Sequence, residues 1–245
     1  MIAENNSRKT FLERADSGEL AIIPVGFRCW TKQLIGERTG LWQESFVFDS
    51  GFFPPAAIAS ILKNPEISLI HKDSGSQNPC IKYENFHDEN LGTIIRFKRS
   101  SYDEIETLAK SPDQPGINKY LDNTFGYYTL DERHKFVLAH FNWHRFSDVK
   151  HSNGIHDPSI NLKNAENVLN RRIKRVLHKC EHAKHIFFIH HERQGYGFMK
   201  IDDQIFDLND FDELMFVARR LYGRKVVLID ANSIATGEDL LDLIK

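Results

Sequence analysis

The chain has 245 residues, of which 41% are hydrophobic and 27% are charged. A chain of this length and composition buries a core without needing disulfides or a structural metal. Its 32 Lys and Arg residues against 34 Asp and Glu residues give a formal net charge of -2, so the overall field offers nucleic acid no general attraction. We expect local recognition of a small-molecule, peptide or carbohydrate-linked substrate. The sequence gives no indication of the oligomeric state.

Cysteine content indicates the compartment. The chain has three cysteines, Cys29, Cys80 and Cys180, and no CxxC pair, so neither a disulfide framework nor a zinc ribbon is expected. The N-terminus lacks the apolar stretch of a signal peptide, and no apolar run approaches the roughly 20 residues that cross a bilayer. We therefore expect a cytoplasmic protein without a membrane span.

The first 19 residues are mostly polar, with Phe11 and Leu12 as their apolar anchors. They predict a polar tail or a short surface helix. The apolar run from Leu20 to Val25 then predicts a buried strand, in which Pro24 requires an edge or strand-end position.

A turn and a helix follow this first strand. The helix is expected from Cys29 to Arg38, with Gly40 as its stop. Further on, the prolines before Ala56 predict the start of a helix that continues to about Lys63. Polar composition predicts a loop from Asp73 to Glu89. The next elements are a strand from Gly92 to Lys98, a helix opened by the capping box Ser101-x-x-Glu104, and a loop from Ser111 to Asn123.

The second half of the chain has the clearest periodicity. It predicts a strand from Lys135 to Phe141, a loop from Ser147 to Asn161, an amphipathic helix from Leu162 to Leu177, a strand from Ile186 to Ile189, a helix between Asn209 and Gly223, and a strand from Lys225 to Ile229. A strand, a helix and a second apolar strand are typical of a βαβ unit with parallel strands. We therefore predict an α/β fold, with one domain over residues 20–245, a central sheet that is at least partly parallel, flanking helices and an irregular middle region.

Cys29 is the first candidate for catalytic chemistry. It opens the helix that follows the first strand, where the helix dipole and free backbone N–H groups favour thiolate over thiol. Arg28 adds positive charge beside it. The same N–H groups are suited to hold an oxyanion after the thiolate attacks a carbonyl group. A buried structural thiol is the alternative interpretation.

A thiol nucleophile needs a base, and histidines cluster in one segment of the chain at positions His134, His140, His144, His151 and His156. We favour His140 because it lies at the end of a strand-like run, where rigid backbone positions a side chain. His144 and His156 are alternatives, and Asp157 beside His156 is a local orienter.

Four arginines form the candidate ligand-binding set: Arg28 in the turn and Arg171, Arg172 and Arg175 on the polar face of the long helix. Guanidinium groups in this arrangement are suited to phosphate or acidic sugar, although a solvated helix face is the common structural explanation. The chain contains neither a glycine-rich phosphate loop nor a Gly-x-Ser-x-Gly elbow. No cofactor is therefore expected.

The histidines were also considered as metal ligands. Paired spacings occur at His140 and His144, at His182 and His185, and at His190 and His191. No HExxH motif is present, and no spacing guarantees the three or four convergent ligands that zinc requires. A histidine-ligated metal enzyme is therefore a weaker alternative, and our main prediction includes no metal.

Four motifs occur in chain order: Gly26-x-x-Cys29 after a strand, Phe48-Asp49, a later histidine at a strand end, and an Arg-Arg-Ile-x-Arg helix at 171–175 that leads into a strand. Together they resemble a bacterial family of papain-like cysteine peptidases. Phe27 and Ser50 replace the small residue and the tryptophan that are usual there. The resemblance implies Cys29 as nucleophile, Asp49 as a site residue, and either His140 or His156 with Asp157 as base.

These observations favour a thiol-dependent hydrolase or acyltransferase acting on an amide or ester. Cys29 would attack, His140 would carry the proton, and Asp49, Asp157 or Asn232 would orient the imidazole. The alternative from another class is a non-catalytic α/β module that binds a sugar or polysaccharide-related ligand through the arginine face.

Overall fold

Two β-sheets, one parallel and one mixed, organise the chain in a computed structural model that describes residues 10–27, 29–69, 80–99, 127–139, 158–191 and 196–245. The helices are α1 (10–16), α2 (Trp30–Thr39), α3 (Pro55–Lys63), α4 (Pro158–His182), α5 (Asp212–Tyr222) and α6 (Gly237–Asp242). The strands are β1 (Leu20–Pro24), β2 (Gly51–Phe52), β3 (Cys80–Asp88), β4 (Gly92–Arg99), β5 (Tyr127–Asp131), β6 (Phe136–Leu138), β7 (His185–His190), β8 (Phe198–Ile201), β9 (Gln204–Asp207) and β10 (Val226–Asp230).

The parallel sheet has the strand order β1-β7-β10. Alternate residues of β7 point to opposite faces, so Ile186 and Phe188 pack in one hydrophobic cluster while Phe187 and Ile189 pack in another. Residues of α3, α4 and α5 contribute to the first cluster, and residues of α1, α2 and α6 contribute to the second. Helices on both faces explain the continuous apolar strands. The predicted α/β fold, the parallel β7 and β10 pair, and the end position of Pro24 are all confirmed.

The N-terminal segment is part of this packing. Residues 10–16 are helical, and Phe11 is completely buried in the cluster that contains Phe187. A Cβ added at Gly237 would collide with the Phe11 ring. Of the two sequence interpretations, the short helix therefore describes residues 10–16, and its apolar anchor ties it to the core. Residues 1–9 lie outside the described residues.

The mixed sheet has the order β2-β6-β5-β3-β4-β8-β9, and β4 with β8 is its parallel pair. The loop predicted from Asp73 to Glu89 is wrong over its second part, because β3 occupies Cys80–Asp88. This strand is polar in composition, but it pairs with β4 on one side and β5 on the other. Ladder hydrogen bonds to two neighbours thus override weak local propensity.

Several boundaries differ from the sequence predictions. Helix α4 begins at Pro158 and not near Leu162, because proline is well tolerated in the first helical turn. Helix α5 begins at Asp212 and not after Asn209, and the Asp210 carboxylate accepts a hydrogen bond from the Asp212 N–H at 3.1 Å. The strand at 127–131 and the hairpin of β8 and β9 were not predicted. The predicted helix from Ser101 to Lys110 lies outside the described residues.

None of the helices in the described part of the chain combines the length and the apolar character that crossing a bilayer requires.

Gly51 is a position where the fold leaves no room for a side chain. A Cβ at this position would overlap the Val137 carbonyl oxygen, well inside van der Waals contact distance, and Val137 belongs to the paired strand β6. We expect Gly51→Ala to lower the free energy of unfolding by about 2 kcal/mol or more, because backbone must move. Gly36→Ala is the control, since the nearest atoms to its Cβ belong to the side chain of Trp42, which is 65% exposed. Urea unfolding measures both, and equal losses would contradict the explanation.

Candidate active site

The carboxyl edge of the parallel sheet gathers the first candidate residues. Strand β1 leads there into the turn that carries Cys29, strand β7 leads into His190 and His191, and β10 leads into Asn232. The Val25 N–H donates to the Ile189 carbonyl oxygen at 2.8 Å, so the turn after β1 starts directly beside the end of β7. Ligands in α/β proteins characteristically bind at this edge.

Cys29 occupies the N-cap of α2, with φ -83° and ψ 2°. Its side chain makes no capping hydrogen bond, and its carbonyl oxygen accepts the Gln33 N–H at 2.9 Å. The residue is half-buried and is a free cysteine. The thiol therefore adjoins the backbone N–H groups of the first helical turn, which have no partners within the helix. Arg28 lies outside the described residues.

A cleft opens next to this turn. It is lined by Gly26, Phe27, Phe53, Pro55, His190, His191, Tyr196, Leu208, Asn209 and Phe211. The His190 and Phe211 rings pack with their centroids 4.5 Å apart. The His191 Nδ1 atom is buried, with no hydrogen-bond partner among the described residues. A buried imidazole nitrogen without a partner is the kind of group that a bound ligand satisfies.

From their spacing in the sequence, His190 and His191 are predicted only as candidate metal ligands. The signal for a base was nevertheless present, because His190 ends a buried strand. This is the same signal that favoured His140.

Strand β2 links the Cys29 turn to the end of β6. On one side of β2, the Phe53 N–H donates to the Gly26 carbonyl oxygen at 3.2 Å, and Phe27 forms a bridge with Phe52. On the other side, the Ala139 N–H donates to the Ser50 carbonyl oxygen at 2.9 Å. Because neighbouring strands lie about 4.8 Å apart, the backbones flanking β2 are roughly 10 Å apart.

The residue after Ala139 is His140, the predicted base. It lies outside the described residues, as do the alternatives His144, His156 and Asp157. Their roles stay predictions.

His134, the first histidine of that segment, is buried in the core. Its Nε2 lies 2.9 Å from the Glu66 carbonyl oxygen, to which it donates, and its Nδ1 accepts from the Ser60 hydroxyl at 2.8 Å. Burial lowers the pKa of this imidazole. Both ring nitrogens are satisfied within the fold, so His134 stabilises structure.

Asp49 lies at the 3-10 helix Val47–Ser50, immediately before β2. Its Oδ2 accepts the Phe46 N–H at 2.8 Å. Burial raises the pKa of Asp49 to about 6, although this hydrogen bond and the charges of Lys32 and Arg172 act in the opposite direction. The predicted orienting carboxylate is thus used locally to begin the 3-10 helix, and its Oδ1 has no partner among the described residues.

The predicted ligand-binding face of α4 divides into two parts. Arg172 donates to the Ser50 hydroxyl at 2.6 Å, and burial lowers its pKa. Arg175 donates to the Ser45 carbonyl oxygen at 2.8 Å and pairs with the Glu44 carboxylate at 2.8 Å. Arg171 is exposed. Two of the three guanidinium groups therefore fasten α4 to the segment before β2.

Asn232, the third candidate orienter, is exposed at the end of β10. Its backbone N–H donates to the Asp230 carboxylate at 2.8 Å. Because β7 separates β10 from β1, Asn232 shares the sheet edge with Cys29 but lies two strands away from the Cys29 turn.

The other cysteines differ in their surroundings. Cys80 begins strand β3, which corrects its sequence placement in a polar loop. Cys180 is buried, and burial raises the pKa of its thiol to about 12. We expect iodoacetamide at pH 7.5 to leave Cys180 unmodified in the native chain and to modify it after unfolding in urea. Peptide mass spectrometry measures this directly. Modification of native Cys180 at the rate of free cysteine would contradict its burial.

The hypothesis of a histidine-ligated metal enzyme gains no support from the paired histidine spacings within the described residues. No group of three or more His, Cys, Asp or Glu side chains within the described ranges is arranged to hold a metal ion.

Comparison with known proteins gives no match, whether with protein-family models, curated proteins or solved structures. The papain-like resemblance is therefore a hypothesis that depends on the quoted motifs.

Proposed function

We propose that this chain is a thiol-dependent hydrolase or acyltransferase whose nucleophile is Cys29. The observation that carries the proposal is the position of this free thiol, at the start of α2 and next to a cleft that contains two histidines. Helix-start N–H groups, a half-buried thiol and nearby imidazoles are the components that acyl transfer requires.

The reaction would proceed in two steps. An imidazole accepts the thiol proton as sulfur attacks the carbonyl carbon of an ester or amide, and the carbonyl oxygen becomes an oxyanion held by the N–H groups of the first turn of α2. The leaving group then departs with the proton from the imidazolium, and a thioester on Cys29 remains. Water or a second nucleophile attacks this thioester and regenerates the thiol.

His190 is the base that the described structure supports best. It lines the cleft together with Gly26 and Phe27, three and two residues before Cys29, and the Phe211 ring packs against its imidazole. His140, the residue after Ala139, is the competing prediction and lies outside the described residues. A variant at each position distinguishes the two.

The base is identified by the alkylation rate of Cys29 with iodoacetamide at pH 6, where a free thiol reacts slowly. We expect the native thiol to react at least about tenfold faster than free cysteine, since a general base that accepts the thiol proton activates the sulfur for attack. His190→Gln is expected to remove this acceleration, whereas His140→Gln and the exposed control His178→Gln retain it. Loss of the acceleration in His140→Gln alone would assign the base to His140. A native rate equal to that of free cysteine would overturn the proposal.

The aromatic side chains of the cleft favour a second candidate function. Phe27, Tyr196 and Phe211 line it beside the amide of Asn209, and aromatic rings with a nearby amide are suited to bind a sugar ring without chemistry. Cys29→Ser discriminates the two functions, because a binding module keeps its ligand and its cellular role in this variant.

The proposed chemistry also bears on localisation. A nucleophilic thiol persists in a reducing compartment, and the chain has no CxxC pair. We therefore include a cytoplasmic location in the proposal.

A further inference from the structure

The last two turns of α4 place two exposed histidines on one face of the helix. His178 and His182 are four residues apart, and their rings are stacked with centroids 4.2 Å apart at an interplanar angle of 26°. Sequence spacing suggests a pair of His182 with His185, but His185 lies beyond the helix, in β7. The helical spacing instead joins His182 to His178.

A hydrogen bond to the backbone fixes the tautomer of the neutral His182 ring. Its Nδ1 lies 2.8 Å from the His178 carbonyl oxygen, and a carbonyl oxygen only accepts, so Nδ1 carries the proton. In the neutral ring, the lone pair then belongs to Nε2. A backbone carbonyl that binds one ring nitrogen and leaves the other free is the usual support of a metal-bound histidine.

Negative charge lies close to this pair. The helix dipole places partial negative charge at the C-terminal end of α4, and the exposed Glu181 adds a carboxylate. The exposed Lys174 lies one turn before His178, whereas two other neighbouring ammonium groups have partners of their own. Lys179 lies over the Phe46 ring at 5.6 Å, and Lys225 donates to the Ala183 carbonyl oxygen at 2.6 Å.

We propose that His178 and His182 form a two-histidine site for a divalent transition-metal ion such as Zn²⁺ or Cu²⁺, distinct from the thiol site. Zinc and copper favour imidazole ligands. At bond lengths of about 2.0 to 2.1 Å, two adjacent ligand nitrogens lie about 3 Å apart. Imidazoles four residues apart on one helix face can reach this separation once the stacked rings rotate so that both lone pairs point to the ion. No third protein ligand joins them within the described ranges, so water completes the coordination.

Isothermal titration calorimetry of the tag-free chain with Zn²⁺ tests this site. We expect His178→Ala and His182→Ala each to weaken zinc binding by at least about tenfold, because each removes the chelate. His185→Ala is the matched control and is expected to bind like the native chain. Thermal unfolding without metal should be the same in the native chain and in the His178 and His182 variants, since both site histidines are exposed.

Three outcomes would overturn the proposal: no zinc binding by the native chain, unchanged affinity in the His178 and His182 variants, or an equal loss in the His185 variant. The last result would show that zinc binds through unrelated histidines.

Discussion

Replacing Arg172 with methionine is expected to lower the free energy of unfolding by about 3 to 5 kcal/mol. The guanidinium is partly buried, donates to the Ser50 hydroxyl and contributes positive charge that lowers the pKa of the buried Asp49 carboxylate. Methionine keeps the apolar volume but removes the charge and the donor. The loss is large because the buried Ser50 hydroxyl loses its donor and the buried Asp49 carboxylate loses a neighbouring positive charge, and an uncompensated buried polar group costs more than its paired interaction contributes.

The chain provides a matched control next to this residue. Arg171 precedes Arg172 on the same helix but is exposed, so Arg171→Met is expected to change the free energy by no more than about 0.5 kcal/mol. Urea unfolding at pH 7 measures both variants. Similar effects of the two substitutions would show that Arg172 does not fasten α4 to the segment before β2.

The second large effect concerns Asp131, at the end of β5. Its side chain is completely buried and accepts the His134 N–H at 2.6 Å, and burial raises its pKa to about 7 from an ordinary 3.8. Its stabilising contribution is therefore complete below pH 3.8 and is lost as the pH rises through 7, because the folded state must then bury a charge. A shift of this size corresponds to a loss of roughly 4 kcal/mol at pH 8.

Asp131→Asn removes this titration while it keeps the shape of the side chain. We expect the free energy of unfolding of the variant, relative to the native chain, to rise by up to about 4 kcal/mol between pH 4 and pH 8. Subtraction of the native curve removes the contributions of Asp49 and His134, which titrate in both proteins. Asp203→Asn is the control, since this carboxylate is exposed. Parallel curves for Asp131→Asn and the native chain would contradict the burial effect.

The parallel sheet could be predicted because its strands are buried on both faces. Continuous apolar runs such as Ile186–Ile189 then reveal a strand without any knowledge of its neighbours. Strand β3 could not be found in this way. Residues from Lys82 to Asp88 are largely polar, and their pairing with β4 and β5 is a property of the assembled sheet.

The candidate site could likewise be predicted only where it depends on local sequence. The helix start at Cys29 follows from a strand, a turn and a helical period, all of which are local. The histidines beside the turn depend on which strand lies next to β1, and the register of Ile189 beside Pro24 is not encoded in any short segment. Likewise, the spacing of basic residues in α4 predicts an arginine face, but only the packed structure shows that Arg172 donates to the Ser50 hydroxyl.

The proposed function requires a covalent acyl intermediate on Cys29. Intact-protein and peptide mass spectrometry of the native chain, quenched in acid after brief exposure to p-nitrophenyl acetate at pH 7, tests it most directly. We predict one acetyl group on Cys29 that hydroxylamine removes, loss of this adduct in Cys29→Ser, and its retention in Cys180→Ser. An unmodified Cys29, or equal acetylation of Cys29→Ser and the native chain, would contradict the account.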